Sequence, residues 1–430
     1  MSVRRLTWLL AVLPAACGGS GGGTVADGGG GAGGAASDAG PDTDAVVIGG
    51  SDAGPIPDVG TPDPGPLPSL RAVSGDLTFV ERYVPGDAKT GHLYSIQTDG
   101  ALRQRLTQSP GAWAEHAVGP DKRYIAAVRH RTPAGEDEAD APGEVWIVDV
   151  KTHHEYALSP VGCDAGGGGV GWRDEVQVMF AMKCGDAVSQ VYMASRDDET
   201  RALDHMLPAF QADADEAIRD VFPAVGTSVF AYTVDHPICA AGDCFLKPQV
   251  WIADQDSGDH CQVTDGDLAF DDLGTVTDAE KRLGDHDPAF SVDLTSLTFS
   301  RNVGGKPAGP TGHHDPFRIG VDLVSLYAGR RTCDLAGTKA NLAGALVTDD
   351  YPLPGGGSAP GSERYPQSAT AGGELSGMVL FVARVDSAPT PTAAVYVVDR
   401  SGNRTLLSNP AAEAVAARWI TSQFDTSGVR

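Results

Sequence analysis

Two short clusters carry residue types that could do chemistry, Asp285-His286-Asp287 and His313-His314-Asp315. Imidazole and carboxylate together form a ligand set for a divalent metal. If the two segments meet, His286, Asp287 and His313 are the expected ligands. Asp and His are also ordinary loop residues, so the same clusters read as turn chemistry until assembled geometry decides. Asp254, Asp256 and Asp259 with Gly258 form part of a D-x-D-x-G calcium loop. Position twelve is Asp265 rather than the bidentate Glu, and a hairpin turn accounts for the run. Gly18-Gly19-Ser20-Gly21-Gly22 has the letters of a nucleophile elbow, but no strand or helix flanks it. No H-E-x-x-H, phosphate-binding loop or dinucleotide fingerprint occurs in the folded region. No cofactor is expected, a divalent cation at the His/Asp clusters being the one exception.

Charge narrows the partners. The 430 residues carry a net charge of −25, which repels nucleic acid and anionic lipid headgroups. Contact with a membrane is therefore expected only through an anchor. Met1 to Cys17 has the parts of an export signal: Arg4 and Arg5, an apolar run from Leu6 to Leu13, and Ala15-Ala16 before Cys17. The apolar run is too short to span a bilayer. The segment around Cys17 resembles a bacterial lipobox, with Pro14 where that family has Leu. The resemblance implies cleavage after residue 16 and lipidation at Cys17. Gly18 is not the Asp that resembles an inner-membrane retention signal, which makes an outer-membrane lipoprotein the expectation. Residues 17–70 are almost wholly Gly, Ala, Asp, Ser, Pro and Thr. They cannot bury enough surface to offset their entropy and are expected to form a disordered tether.

Residues 71–430 change texture and supply the elements that must position any site. A strand, tight turn and second strand recur six times, as in Ala393 to Ser408, with an aromatic at Tyr94, Trp146, Tyr192, Trp251 and Tyr396. The fifth copy, Arg318 to Leu335, fits worst and offers Ile319 in the aromatic place. Upstream of each copy lies an apolar strand: Leu77–Tyr83, Tyr124–Val128, Val176–Met182, Ser228–Val234, Leu294–Ser300 and Met378–Arg384. These runs are apolar at successive positions, so both faces must be covered, as in sheets stacked face to face. Repeats of this length read as propeller blades with loop insertions. A short acidic segment, Ala212–Arg219, reads as helical.

Five further elements precede the upstream strands, among them His116–Arg123 and Asp287–Leu294. Pro120-Asp121 and Asp287-Pro288-Ala289-Phe290-Ser291 resemble the P-x-W-S-P-D-G repeat of TolB-like propellers. The fold expected is all-β, a six-bladed β-propeller of four-stranded antiparallel blades. The sixth such element, Val415–Ile420 with Trp419, comes last. It is expected to complete the first blade and leave no free edge. In propellers of this kind, residues just before the inner strands face the channel mouth. Those residues are Glu115, His116, Asp220, His286, Asp287 and Arg364. Singly, each also reads as a strand cap or solvated rim residue; as a ring they are the expected binding site.

Six cysteines besides Cys17 suggest disulfides in an exported chain. Cys163 precedes one strand and Cys184 ends its antiparallel neighbour, so they should meet. Cys239 and Cys244 bracket the four-residue loop Ala-Ala-Gly-Asp, so a local Cys239–Cys244 bridge is expected, and Cys261–Cys333 is left by elimination. The function expected is that of a non-catalytic binding or scaffold module for an envelope protein or glycan, acting as a monomer. The alternative is a hydrolase or lyase on envelope polysaccharide using the His/Asp metal site.

Overall fold

In the computed structural model the chain divides into two units, Met1–Ser51 and Asp52–Arg430. The residues described are 67, 69–130, 142–166, 169–185, 189–201, 207–211, 217–240, 243–264, 284–302, 314–321, 350–352, 358–369, 375–385, 393–409 and 411–420, all in the second unit. Cys17 and the expected signal and tether up to residue 66 lie outside them.

Six antiparallel sheets follow one another along the chain. Blade one contains β1 (Leu77–Arg82), β2 (Gly91–Ile96) and β3 (Gln104–Arg105). Blade two is β4 (Ala112–Val118), β5 (Tyr124–His130), β6 (Gly143–Asp149) and β7 (His154–Ala157). Blade three has a short β8 (Cys163–Asp164), then β9 (Val170–Trp172), β10 (Gln177–Cys184), β11 (Gln190–Ser195) and β12 (Leu207–Gln211). Blade four is β13 (Ala217–Pro223), β14 (Val229–Ala240), β15 (Asp243–Asp254) and β16 (His260–Gln262). Blade five comprises, among the described residues, β17 (Asp285–Phe290), β18 (Ser296–Asn302) and β19 (His314–Gly320). Blade six is β20 (Asp350–Pro352), β21 (Ser358–Ser368), β22 (Val379–Val385), β23 (Ala393–Val398) and β24 (Arg404–Leu406). The last strand, β25 (Glu413–Trp419), returns to pair with β1, giving the order β25-β1-β2-β3. The first blade is thus completed by the C-terminal strand, and the molecule is a six-bladed β-propeller.

Side-chain chemistry explains why each blade holds. In five blades the second and third strands place aromatic residues directly opposite one another: Phe79 and Tyr94, Phe180 and Tyr192, Tyr232 and Trp251, Phe299 and Phe317, Phe381 and Tyr396; in blade two Trp146 stands opposite Ala127. Such cross-strand pairs contribute roughly 0.2–1 kcal/mol each beyond Ala–Ala. The second-strand partners are fully buried, because sheets stack on both their faces. Trp146, Trp251 and Tyr396 are half-buried, packed against these cores rather than pointing into water. In the fifth blade the aromatic is Phe317, not Ile319. With no turn glycine to mark that copy, its register is two residues earlier than the sequence suggests. Ala217–Arg219 is strand rather than helix. Pairing with β14 and burial of Ile218 override local propensity.

Blades are joined by side-chain hydrogen bonds to inner-strand carbonyls. The Trp172 indole Nε1 donates to the Ala117 carbonyl of blade two at 2.9 Å. Trp419 makes the same bond at the closure, its Nε1 donating to the Gln367 carbonyl of blade six at 2.7 Å. Thr298 Oγ1 donates to the Pro366 carbonyl at 2.7 Å, tying blade five to blade six.

Candidate functional site

Four inner strands are interrupted at the same place by a β-bulge. Register shifts fall between Trp113 and His116, Arg219 and Phe222, His286 and Ala289, and Arg364 and Gln367. Bulges re-aim side chains, and here they turn them towards the neighbouring inner strands. Asp220, Asp287 and Tyr365 sit at equivalent bulge positions with φ of 50°, 52° and 56°. That left-handed conformation is tolerated by Asp and costs more for Tyr. Residues held this way cluster at functional sites. The bulges also connect blades. The Asp287 N–H donates to Asp220 Oδ2 at 3.3 Å, and the Tyr365 N–H donates to Asp287 Oδ2 at 3.3 Å.

The result is a compact charge cluster built from five blades. Carboxylate oxygens of Glu115, Asp220 and Asp287 lie within 4.8 Å of one another. Arg364 grips Asp287 with two nitrogens, Nη2 standing 3.0 Å from Oδ1. Arg418, on the closing strand β25, brings Nη2 to 3.7 Å from Glu115 Oε2. Its guanidinium lies 5.3 Å over the Tyr365 ring and 5.4 Å over Phe222. Blade three adds no side chain at Gly169. A Cβ there would stand 2.6 Å from the Val221 backbone, so only glycine fits.

Burial and mutual repulsion set the protonation. Burial first, then the nearby Asp220, push Glu115 up to about 8 against the opposing pull of Arg418. Burial and Asp287 raise Asp220 to about 6. Burial alone would raise Asp287 too, but the Arg364 guanidinium holds it far below the usual carboxylate range. At neutral pH the cluster therefore contains a protonated Glu115, two carboxylates and two arginines, and its charges balance.

Of the residues expected at the mouth, Glu115, Asp220, Asp287 and Arg364 come together here. His286 stands beside them, its Nδ1 3.9 Å from Asp220 Oδ2 and its ring 5.8 Å from that of His314. Burial and then Arg364 lower it to about 4, so it is neutral. His116 faces elsewhere: it is fully buried between blades, its Nε2 2.9 Å from Thr78 Oγ1. His313 lies outside the described residues, and the Asp287 carboxylate is taken by Arg364, so the set His286, Asp287, His313 is not assembled among the described residues. Arg418 and Tyr365 belong to the cluster but were not singled out in the sequence. Two signals pointed to them. Arg418 precedes the closing Trp419, and Tyr365-Pro366 repeats the spacing of Asp287-Pro288.

Cys163 and Cys184 are joined by a disulfide between directly opposed residues of β8 and β10. Cys261 is also disulfide-bonded. Cys333, and with it the expected Cys261–Cys333 pair, lies outside the described residues. No helix among the described residues is long and apolar enough to cross a membrane.

No known protein family matches the chain, and no curated protein does. Solved structures similar to it include TolB from Acinetobacter baumannii, at 14% identity and a TM-score of 0.47 over 80% of this chain. The chain spans 66% of that TolB's length. A second TolB-type structure, from Agrobacterium tumefaciens, is 12% identical with a TM-score of 0.45, covering 80% of this chain and 98% of that one. An oligogalacturonate lyase in complex with manganese is 12% identical with a TM-score of 0.37, covering 73% of this chain and 71% of that one. These likenesses concern fold alone and say nothing of activity.

Proposed function

We propose that this chain is an exported, lipid-anchored propeller that binds an envelope protein or glycan at one mouth of its channel, without chemistry. The observation that carries the reading is the convergence of Arg418, Glu115, Asp220, Asp287 and Arg364 from five blades on one buried site. Polar groups meeting at a concave site are what fix a ligand's orientation. The strongest acid among them, Asp287, is held by Arg364 and by the Tyr365 N–H, which suits a fixed recognition surface better than a nucleophile or base. Lipidation at Cys17 and the tether of residues 17–70 would give the propeller reach from an outer membrane. The test is affinity capture from envelope extracts and a glycan array, using the full processed chain and an Asp220→Asn control. A partner retained by wild type and lost by the variant supports the reading. Retention of nothing, or cleavage of a presented glycan, overturns it.

A second reading is a polysaccharide hydrolase or lyase with a divalent cation. Three carboxylates within 4.8 Å favour it, being oxygen donors of the kind hard cations take. The grip of Arg364 on Asp287 weighs against it. Elemental analysis of the purified chain separates the two: a stoichiometric metal lost in Asp220→Asn favours the enzyme.

A further inference from the structure

Blade four carries an arm that the other blades lack. β14 and β15 each run for 12 residues, whereas the second and third strands of the other blades run for 6 to 8. Asp235 stands opposite Ala217, the first residue of inner strand β13. Beyond that point the ladder continues through His236 and Lys247, Pro237 and Leu246, Ile238 and Phe245, Cys239 and Cys244, to Ala240 and Asp243. Five residues at about 3.3 Å each carry the hairpin roughly 16 Å past the start of the inner strand.

Near its end the register sets Cys239 directly opposite Cys244. Directly opposed residues of an antiparallel pair have Cα atoms about 4.5–5.5 Å apart, within the range a disulfide spans. The chain already bonds one pair so placed: Cys163 opposes Cys184 with Cα atoms 4.2 Å apart. That pair is closed to exchange partners in the folded chain. Cys261 cannot compete either. It opposes Ile252, eight residues along β15 from Cys244, which is roughly 26 Å of extended strand.

We propose that Cys239 and Cys244 form a cross-strand disulfide that staples the outer end of this arm. The two thiols lose two protons and two electrons to an incoming protein disulfide of an oxidising compartment, which leaves as its dithiol. The ring closed by the bond is only the span 239–244, so it restrains the unfolded chain little. Its effect falls on the arm, which it holds as a rigid ladder past the start of the inner strand. Rigid elements bind partners at lower entropic cost.

The experiment is thiol alkylation and peptide mapping of the full chain, unreduced, on material in which Cys163–Cys184 has formed. The expected result is that the peptide containing residues 239–244 is two hydrogens lighter than its reduced form and takes up no alkyl group. Alkylation at either cysteine, or a link from either to Cys261, overturns the proposal. Hydrogen exchange gives a second readout. In the Cys239→Ser/Cys244→Ser chain, amides of 236–247 should exchange at least tenfold faster while those of β13 and β16 are unchanged. Equal exchange in the arm would show that no staple was there.

Discussion

Replacing Glu115 by Gln tests the electrostatics of the cluster. Burial and Asp220 hold the Glu115 carboxyl to about 8, against an ordinary value of 4.5. In the unfolded chain it ionises at its ordinary value. Its preference for the protonated form in the fold therefore contributes stability in full below pH 4.5, and that contribution is lost as pH rises towards 8. Each tenfold difference in proton affinity is worth about 1.4 kcal/mol. The folded state is thus disfavoured by roughly 3 kcal/mol at pH 7 relative to acid, and by roughly 5 kcal/mol above pH 8. Gln keeps the shape and the neutral hydrogen-bonding group without the proton. The variant should match wild type near pH 4.5 and become more stable than it by on the order of 3 kcal/mol at pH 7. Urea unfolding of both proteins from pH 4.5 to 8.5 reads this directly. A variant less stable than wild type at pH 7 would refute the reasoning. It would mean that Glu115 is ionised and that its pairing with Arg418, 3.7 Å away, outweighs desolvation.

Two further changes probe the same assembly. Trp419→Ala removes a fully enclosed indole and its bond to the Gln367 carbonyl, and should cost about 3–5 kcal/mol in the same urea assay. A cost below 1 kcal/mol would contradict the closure. Asp287→Asn breaks the grip of Arg364, whose side chain is 38% exposed, so the cost should be roughly 2 kcal/mol rather than that of a fully buried pair. Because the Asp287 carboxyl lies far below its ordinary range, its contribution is present at neutral pH and lost as acid protonates it. The wild type should therefore lose stability below about pH 4 more steeply than the variant.

The blades were legible because their second strands are apolar at every position, and only stacking on both faces satisfies that pattern. The closing strand was legible because Trp419 had no other home. The sixfold aromatic rhythm failed once, at Phe317, where a missing turn glycine hid the register. The cluster was legible in part. Asp220, Asp287 and Arg364 announce themselves as polar residues ahead of apolar strands. Their convergence depends on bulges and positive φ at Asp220, Asp287 and Tyr365, which sequence periodicity does not carry. His116 shows the opposite limit: alternation puts it on the face packed against Thr78, one residue from Glu115 yet away from the cluster. Charge balance was invisible beforehand, because Arg418 enters from the far end of the chain.

Hydrogen exchange at the closing strand tests the whole account most directly. With β25 paired to β1 from Leu77↔Trp419 to Arg82↔Glu413, the ladder amides of 413–419 should exchange as slowly as those of the central strand β1. Exchange of that segment within seconds, with β1 protected only on its β2 side, would mean that the ring is open and that Arg418 is not delivered to the channel.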